Sequence, residues 1–332
     1  MLEKHGVTST ALRHTRTDRC IAETTRGEEG AMELRTLRYF IAVVREGSIT
    51  AAAKSLHVTQ PTLSRQLAAL EVELGHALYQ RNRQGIELTE QGVILRRYAE
   101  SILALADKAE EEIALPTHSI AGKVHIAAGE TQAMELIARA MERTQAEYPG
   151  IAFEIYSGTS ADLMDNFVRG FYDFFLECEL RSHVDMHTMK LPHLDEWGLL
   201  VRRDDPLANL AAVTAAELVG HPLISSRQGV KVGVLGQWLG GLADKMDVRA
   251  TYNLPLNAKF LVRQGLGAAF TYRGLFEANA MSDLAFVPLS PALESTQGIV
   301  WRKTLPTRQA QAFLGKLREV CAEELSSTRA DS

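Results

Sequence analysis

Apolar residues recur along the chain at two different periods, and the change comes near residue 122. Before it the steps are three and four. Leu37, Phe40, Ile41 and Val44 make one stripe, the pattern of a helix with a single buried face. Gly47 follows where a left-handed residue closes a helix. Thr50 to Leu56, built on Ala51, Ala52 and Ala53, predicts a short second helix small enough for close crossing. His57, Val58 and Thr59 form a tight turn. Thr59 can cap a third helix, and Pro61 falls in its first turn, where its nitrogen needs no partner. Leu63, Leu67, Leu70 and Leu74 form that helix's buried stripe, and Gly75 stops it. From Leu78 to Leu88, two short apolar runs flank a polar tip containing Gly85, which predicts a β-hairpin.

Helix, short helix, turn, longer helix and hairpin make a winged helix-turn-helix over 32–90. In that arrangement the last helix enters the DNA major groove. A long helix follows over 91–116. Ile94, Tyr98, Ile102, Leu105, Ala109 and Ile113 draw a narrow apolar seam on it, and Arg96, Arg97, Glu100, Asp107, Lys108 and Glu110 to Glu112 cover the rest. A narrow seam on a long helix suggests pairing with a second copy; packing on its own domain is the alternative. Pro116 to Gly122 reads as a hinge.

Beyond residue 122, strands alternate with helices. Val124–Ala127, Ile151–Tyr156, Phe171–Cys178, Trp197–Val201, Pro222–Ile224 and Ala268–Tyr272 read as strands. Met134–Tyr148, Ser160–Arg169, Ala215–Val219, Val230–Leu239, Leu256–Arg263 and Gln309–Leu325 read as helices. This alternation predicts α/β architecture with mostly parallel sheets.

Composition narrows the picture without deciding it. A chain of 332 residues has room for two or three domains. With 46% hydrophobic and 23% charged residues it is ordinary for a protein with packed cores. The formal net charge of −5 gives nucleic-acid binding no support, so that case rests on local pattern. Cys20, Cys178 and Cys321 lie far apart with no CxxC pair, against a disulfide framework or a zinc site. No apolar run reaches the roughly 18 residues of a membrane span, nor is there a signal-peptide core; the expected location is cytoplasmic. Residues 1–31 are rich in Thr, Arg and Glu and lack periodicity. They read either as a disordered tail or as mis-assigned upstream sequence ahead of a start at Met32.

Gln60, Pro61, Ser64 and Arg65 share the face of the third helix opposite its leucines. Gln reads adenine and Arg reads guanine through paired hydrogen bonds, and Ser reaches bases or phosphates. Arg81 and Arg83 on the hairpin sit where a minor groove or backbone is contacted. Ser48 and Thr50 are helix caps that can also touch phosphate.

Residues 34–92 closely resemble the DNA-binding domain of LysR-type transcriptional regulators. The stretches that carry the likeness are Leu37-Arg38-Tyr39-Phe40, Gly47 to Ala53, Thr59-Gln60-Pro61-Thr62-Leu63-Ser64-Arg65-Gln66-Leu67, Leu70 to Gly75, and Leu88-Thr89-Glu90-Gln91-Gly92. A weaker likeness continues to the C-terminus through Leu261 to Gly267. The resemblance implies a linker helix that dimerises, assembly into a homotetramer, and a two-lobed effector domain similar to periplasmic binding proteins. Lobe 1 would comprise 123–195 plus 273–330, and lobe 2 would comprise 196–272. It points to the same DNA-contacting residues and implies a small-molecule effector without a cofactor.

In such a domain, ligands lie at the carboxyl ends of strands. The polar groups there are Glu130 and Thr131; Ser157, Thr159 and Ser160; and Ser225, Ser226 and Arg227. Free N–H groups at helix starts and Arg227 favour an anion. The resemblance implies Ser or Thr at position 130 in many members, so Glu130 argues against a simple anion, and an amine or amino-acid-like ligand satisfies both signs. Helix capping alone also accounts for Thr159 and Ser160. Catalytic signatures such as GxSxG, HExxH or a P-loop do not occur. His183, His187 and His193 read as a surface loop without flanking carboxylates, and Cys178 as a buried strand thiol. A DNA-binding regulator rather than an enzyme is expected.

Overall fold

The computed structural model describes residues 32–82, 85–114, 120–227, 229, 233–276 and 282–330, with side chains as far as 327. The expectations for residues 1–31 and for most of the 116–122 hinge lie outside the described residues. The chain divides into two compact units, 1–108 and 109–332.

In the first unit, Leu34–Glu46 (α1), Ile49–Ser55 (α2) and Gln60–Leu74 (α3) precede an antiparallel hairpin of Tyr79–Asn82 (β1) and Gly85–Leu88 (β2). Glu90–Ala114 (α4) runs across the division between the units. Gly47 ends α1 at φ +64°, and its carbonyl accepts the Ile86 N–H at 3.0 Å. Any side chain at Gly85 would set its Cβ 2.7 Å from that same oxygen, so glycine here lets the hairpin reach the end of α1. Ser48 and Thr59 cap α2 and α3, accepting the N–H groups of Ala51 and Thr62, each at 3.4 Å. Glu71 accepts the Leu78 N–H at 2.7 Å, and the Thr89 hydroxyl donates to Ala77 O at 2.7 Å. These bonds fasten the hairpin between α3 and α4.

Leu37, Phe40, Val43, Ala52, Leu63, Leu67 and Leu70 close the core of this unit. Leu74, the fourth leucine of the expected stripe, is instead 37% exposed in the final turn of α3, outside that core. On α4, Gly92, Leu95, Ala99 and Leu103 are the buried positions. Helix α4 therefore packs on its own domain through a different stripe from the expected seam. Most of that seam stays open, with Ile94 47%, Tyr98 46% and Ile113 84% exposed.

In the second unit the elements are Gly122–Ala128 (β3), Met134–Glu147 (α5), Ile151–Ser157 (β4), Ser160–Arg169 (α6), Phe174–Glu177 (β5) and Met186–Arg202 (β6). They continue with Pro222–Ser226 (β7), Gly233–Leu239 (α7), Asp247–Tyr252 (β8), Ala258–Arg263 (α8), Ala268–Tyr272 (β9), Leu284–Pro288 (β10), Glu294–Arg302 (β11) and Arg308–Ala330 (α9). Strand order is β4-β3-β5-β11-β6-β9-β7-β8, with β10 also on β6. Two parallel trios, β4-β3-β5 and β8-β7-β9, are joined by antiparallel crossing strands. β6 pairs with β11 through Met186 to Glu196, then with β9 and β10 from Trp197 onward. Each half has its own core: Val124, Ile126, Phe174 and Phe313 in one, Leu199, Leu223, Phe270 and Val287 in the other.

Three strands escape the pattern of the sequence, β8, β10 and β11, and β6 is far longer than its expected 197–201. Pro192 and the charged residues around it disguise the first part of β6, since proline inside a run argues against a strand. Strand β10 also corrects the lobe assignment. Leu284–Pro288, expected with the first lobe, pairs with Gly198 to Arg202 and buries Val287 beside Leu199. Periodicity cannot show which half a short strand joins.

Candidate DNA-binding and effector sites

On α3, Leu63, Leu67 and Leu70 are fully buried, which turns Gln60, Pro61 and Arg65 outward; all three are exposed. Ser64 is half-buried and receives the Gln60 Nε2 hydrogen bond at 3.0 Å. Arg65 Nε donates to Pro61 O at 3.3 Å. No carboxylate among the described residues pairs with Arg65, so its charge is held along the helix face. Thr50 is exposed in the first turn of α2, while Ser48 caps that helix. Arg81 is exposed on β1, and Arg83 lies outside the described residues.

A cleft of about 290 Å³ opens in the second unit. Glu130, Thr159, Ser160, Ser226 and Arg227 line it, as the sequence leads one to expect. Thr131, Ser157 and Ser225 do not. Thr131 is buried because its hydroxyl donates to the Asp195 carboxylate and accepts the Ala133 N–H at 3.1 Å. Ser225 and Ser226 are neighbours on β7, but only Ser226 is on the cleft wall; Ser225 is buried with no partner for its hydroxyl among the described residues. Ser157 is exposed at the end of the edge strand β4. Thr159 caps α6, accepting the Asp162 N–H at 3.2 Å, and lines the cleft as well.

The cleft also takes residues that the sequence does not place there: Glu179, Arg181, Trp197, Tyr252, Thr271, Tyr272 and Cys178, which stands just past β5 on the cleft wall and not within the strand. They come from the ends of β5, β8 and β9 and from the interior of β6, and only the sheet order brings these together. Trp197 and Tyr272 meet edge to face with ring centroids 4.5 Å apart, and Trp197 Nε1 donates to Ser295 Oγ at 2.8 Å. Burial pushes the carboxyl groups of Glu130 and Glu179 above the usual range; the N–H groups of Leu256 and Val234, which face them, offset part of that. Burial likewise raises the Cys178 thiol and the Tyr252 and Tyr272 phenols.

The histidines depart from expectation. His187 and His193 lie within β6 rather than in a loop. His183 meets the buried Glu177 at 2.9 Å, and His193 meets the buried Asp195 at 3.2 Å. Residues 193 and 195 share a strand face, so that pair was concealed only by the unrecognised strand. Among the described residues no three His, Cys, Asp or Glu side chains gather as metal ligands. No helix among them is long and apolar enough to cross a membrane.

A winged helix-turn-helix joined to an α/β domain with a polar, aromatic-lined cleft defines a ligand-responsive transcriptional regulator. Residues 34–93 match the model for "Bacterial regulatory helix-turn-helix protein, lysR family" and 117–322 match "LysR substrate binding domain"; the chain belongs to the LysR family. It is 31% identical over 198 residues to the HTH-type transcriptional regulator YybE of Bacillus subtilis, covering 60% of this chain and 68% of that one. It is 28% identical over 296 residues to the regulator BudR of Raoultella terrigena, covering 85% and 99%. Several other curated relatives, at 31–37% identity, match over somewhat less than half of their own length. The crystal structure of full-length CbnR complexed with its target DNA superposes with a TM-score of 0.68 at 22% identity, covering 87% of this chain and all of that one; the likeness is one of fold. This chain is a DNA-binding transcriptional regulator with an effector-binding domain, and not an enzyme.

Proposed function

We propose that α3 reads operator bases through Gln60, Ser64 and Arg65, with Pro61 shaping the helix start. Arg81 and Arg83 contact backbone or minor groove, Ser48 adds a phosphate contact to its capping of α2, and Thr50, inside the first turn and not a cap, offers its hydroxyl to phosphate. The observation that carries this reading is the outward face of α3, where Arg65 is exposed and pairs with no carboxylate among the described residues, above a fully buried leucine stripe. A small-molecule effector binds in the cleft between two lobes, against Glu130, Thr159, Ser160, Ser226 and Arg227. The chain is organised as a DNA-binding domain at 32–90, a linker helix at 91–116 and two effector lobes, with β10 in the second. It acts in the cytoplasm as a homodimer joined through the open seam of α4, and two dimers form a tetramer.

Footprinting of the full chain on the DNA upstream of its own gene tests this reading. The expected result is a protected operator that is lost in Arg65→Ala and altered by a metabolite extract. Equal protection by the Arg65→Ala chain would overturn the base-reading assignment.

A further inference from the structure

Of the three carboxylates that line the cleft, Asp162 is exposed and bonded to Thr159, while Glu130 and Glu179 are half-buried and hold no ion pair among the described residues. Glu130 follows β3 and Glu179 follows β5. The cationic side chains that line the same cavity, Arg181 and Arg227, are both exposed. Glu130 and Glu179 each accept one backbone N–H, from Leu256 and from Val234, and Arg181 attracts Glu179 from the solvent side; a cationic guest would add the direct counter-charge that a half-buried carboxylate otherwise lacks. The remainder of the wall is suited to the same guest. Trp197, Tyr252 and Tyr272 present aromatic surface, which attracts cations at its faces. Thr271 also lines the cleft, is 3% exposed, and its hydroxyl has no partner among the described residues. A buried hydroxyl is seldom left unbonded, and a ligand N–H would satisfy it.

We infer that the effector carries a protonated amine or amidinium, held between Glu130 and Glu179 against the aromatic wall. This rests on the reading of the cleft as the effector site. A simple carboxylate is a poorer guest, because it would sit against Glu130 and Glu179 while Arg181 and Arg227, the cations of the lining, are exposed and Arg181 already acts on Glu179. A carboxylate elsewhere on the same ligand can reach Arg227, so a zwitterion fits and a pure anion does not. Burial, by raising both carboxyl groups, makes capture pH-dependent: the cation binds when they are ionised and is released as they take up protons.

The test uses the full chain and four probes of one length: n-butylammonium, n-butylguanidinium, 4-aminobutyrate and n-butyrate. Intrinsic tryptophan fluorescence, to which Trp197 in the cleft contributes, and thermal shift are read for wild type, Glu130→Gln, Glu179→Gln and Arg227→Ala. The expected result is binding of the three nitrogen-bearing probes and none of n-butyrate. Affinity should fall about ten-fold in each Gln variant, the usual worth of a charged hydrogen bond, and weaken from pH 8 to pH 5. Binding of n-butyrate alone, lost in Arg227→Ala, would overturn the charge assignment while leaving the cleft as the effector site. Cation binding unchanged in all three variants would place the guest elsewhere and overturn the cleft reading too. Absence of binding by every nitrogen-bearing probe would overturn the inference.

Discussion

The hydroxyl of Thr131 donates a hydrogen bond to the carboxylate of Asp195, which is 1% exposed in the middle of β6. The bond ties the loop after β3 to the strand shared by both halves of the effector domain. His193 and the Gln132 N–H bond the same carboxylate, so the buried charge has a full set of partners. Asp195→Ala leaves the buried Thr131 hydroxyl without an acceptor for its proton, though it keeps the Ala133 N–H, and is expected to cost about 1–3 kcal/mol of stability. Urea unfolding measures it; a loss below a few tenths of a kcal/mol would show that the cluster is not structural.

Glu179 gives a pH-dependent effect of defined sign. Burial raises its carboxyl in the folded state, so the folded chain holds that proton more tightly than the unfolded one. The penalty is absent below the unfolded value and complete once pH exceeds the raised folded value. Glu179→Gln keeps an oxygen for the Val234 N–H and removes the charge. The variant should therefore melt higher than wild type at pH 7, with the gap closing as pH falls toward about 4. A gap that widens on acidification would mean the ionised carboxylate stabilises the fold.

On α3, Arg65→Ala should weaken specific DNA binding by about 1–3 kcal/mol while leaving non-specific binding nearly unchanged. Competition gel shifts separate the two. A uniform loss on all sequences would reassign Arg65 to phosphate.

Arg81 is expected to behave in the opposite way. Its removal should weaken binding to every sequence and reduce the slope of log affinity against log salt by about 1. Titrations between low and moderate salt measure the slope, and an unchanged one would remove Arg81 from the interface.

The seam of α4 is the place to test assembly. Ile94→Glu with Tyr98→Glu puts charge on exposed positions and leaves Leu95, Ala99 and Leu103 in their core. Sedimentation should show the dimer lost while the melting temperature of the DNA-binding domain holds. A dimer that survives both changes would move the interface off this face.

Much of the first unit was legible along the chain because its contacts are local. The leucines of α3 repeat at three and four, and Thr59, Gly47 and Gly75 mark the ends of elements within a few residues of the contacts they serve. Leu74 shows the limit: the period places it in the stripe, but whether a turn lies over the core depends on where the neighbouring helices stop. On α4 two apolar stripes share one helix. Spacing found the open one and missed Leu95, Ala99 and Leu103, because the domain they pack against is separated from them in sequence.

The effector cleft divides along the same line. The turns after β3, β4 and β7 could be named from strand ends, which located Glu130, Thr159, Ser160, Ser226 and Arg227. Which member of each pair reaches the wall was set by packing: Thr131 is held by Asp195 and the Ala133 N–H, and Ser225 is buried, so neither lines the cleft. Glu179, Trp197, Thr271 and Tyr272 come from strands far apart in sequence that the sheet sets side by side. By itself the sequence determined the helices of the first unit, most of their caps and which face of α3 turns outward, since each depends on residues within one or two turns of each other. The tertiary structure alone decided which carboxylates and aromatic rings share a cavity, because sheet order and strand register are set by packing between distant segments and leave no periodic trace in any one of them.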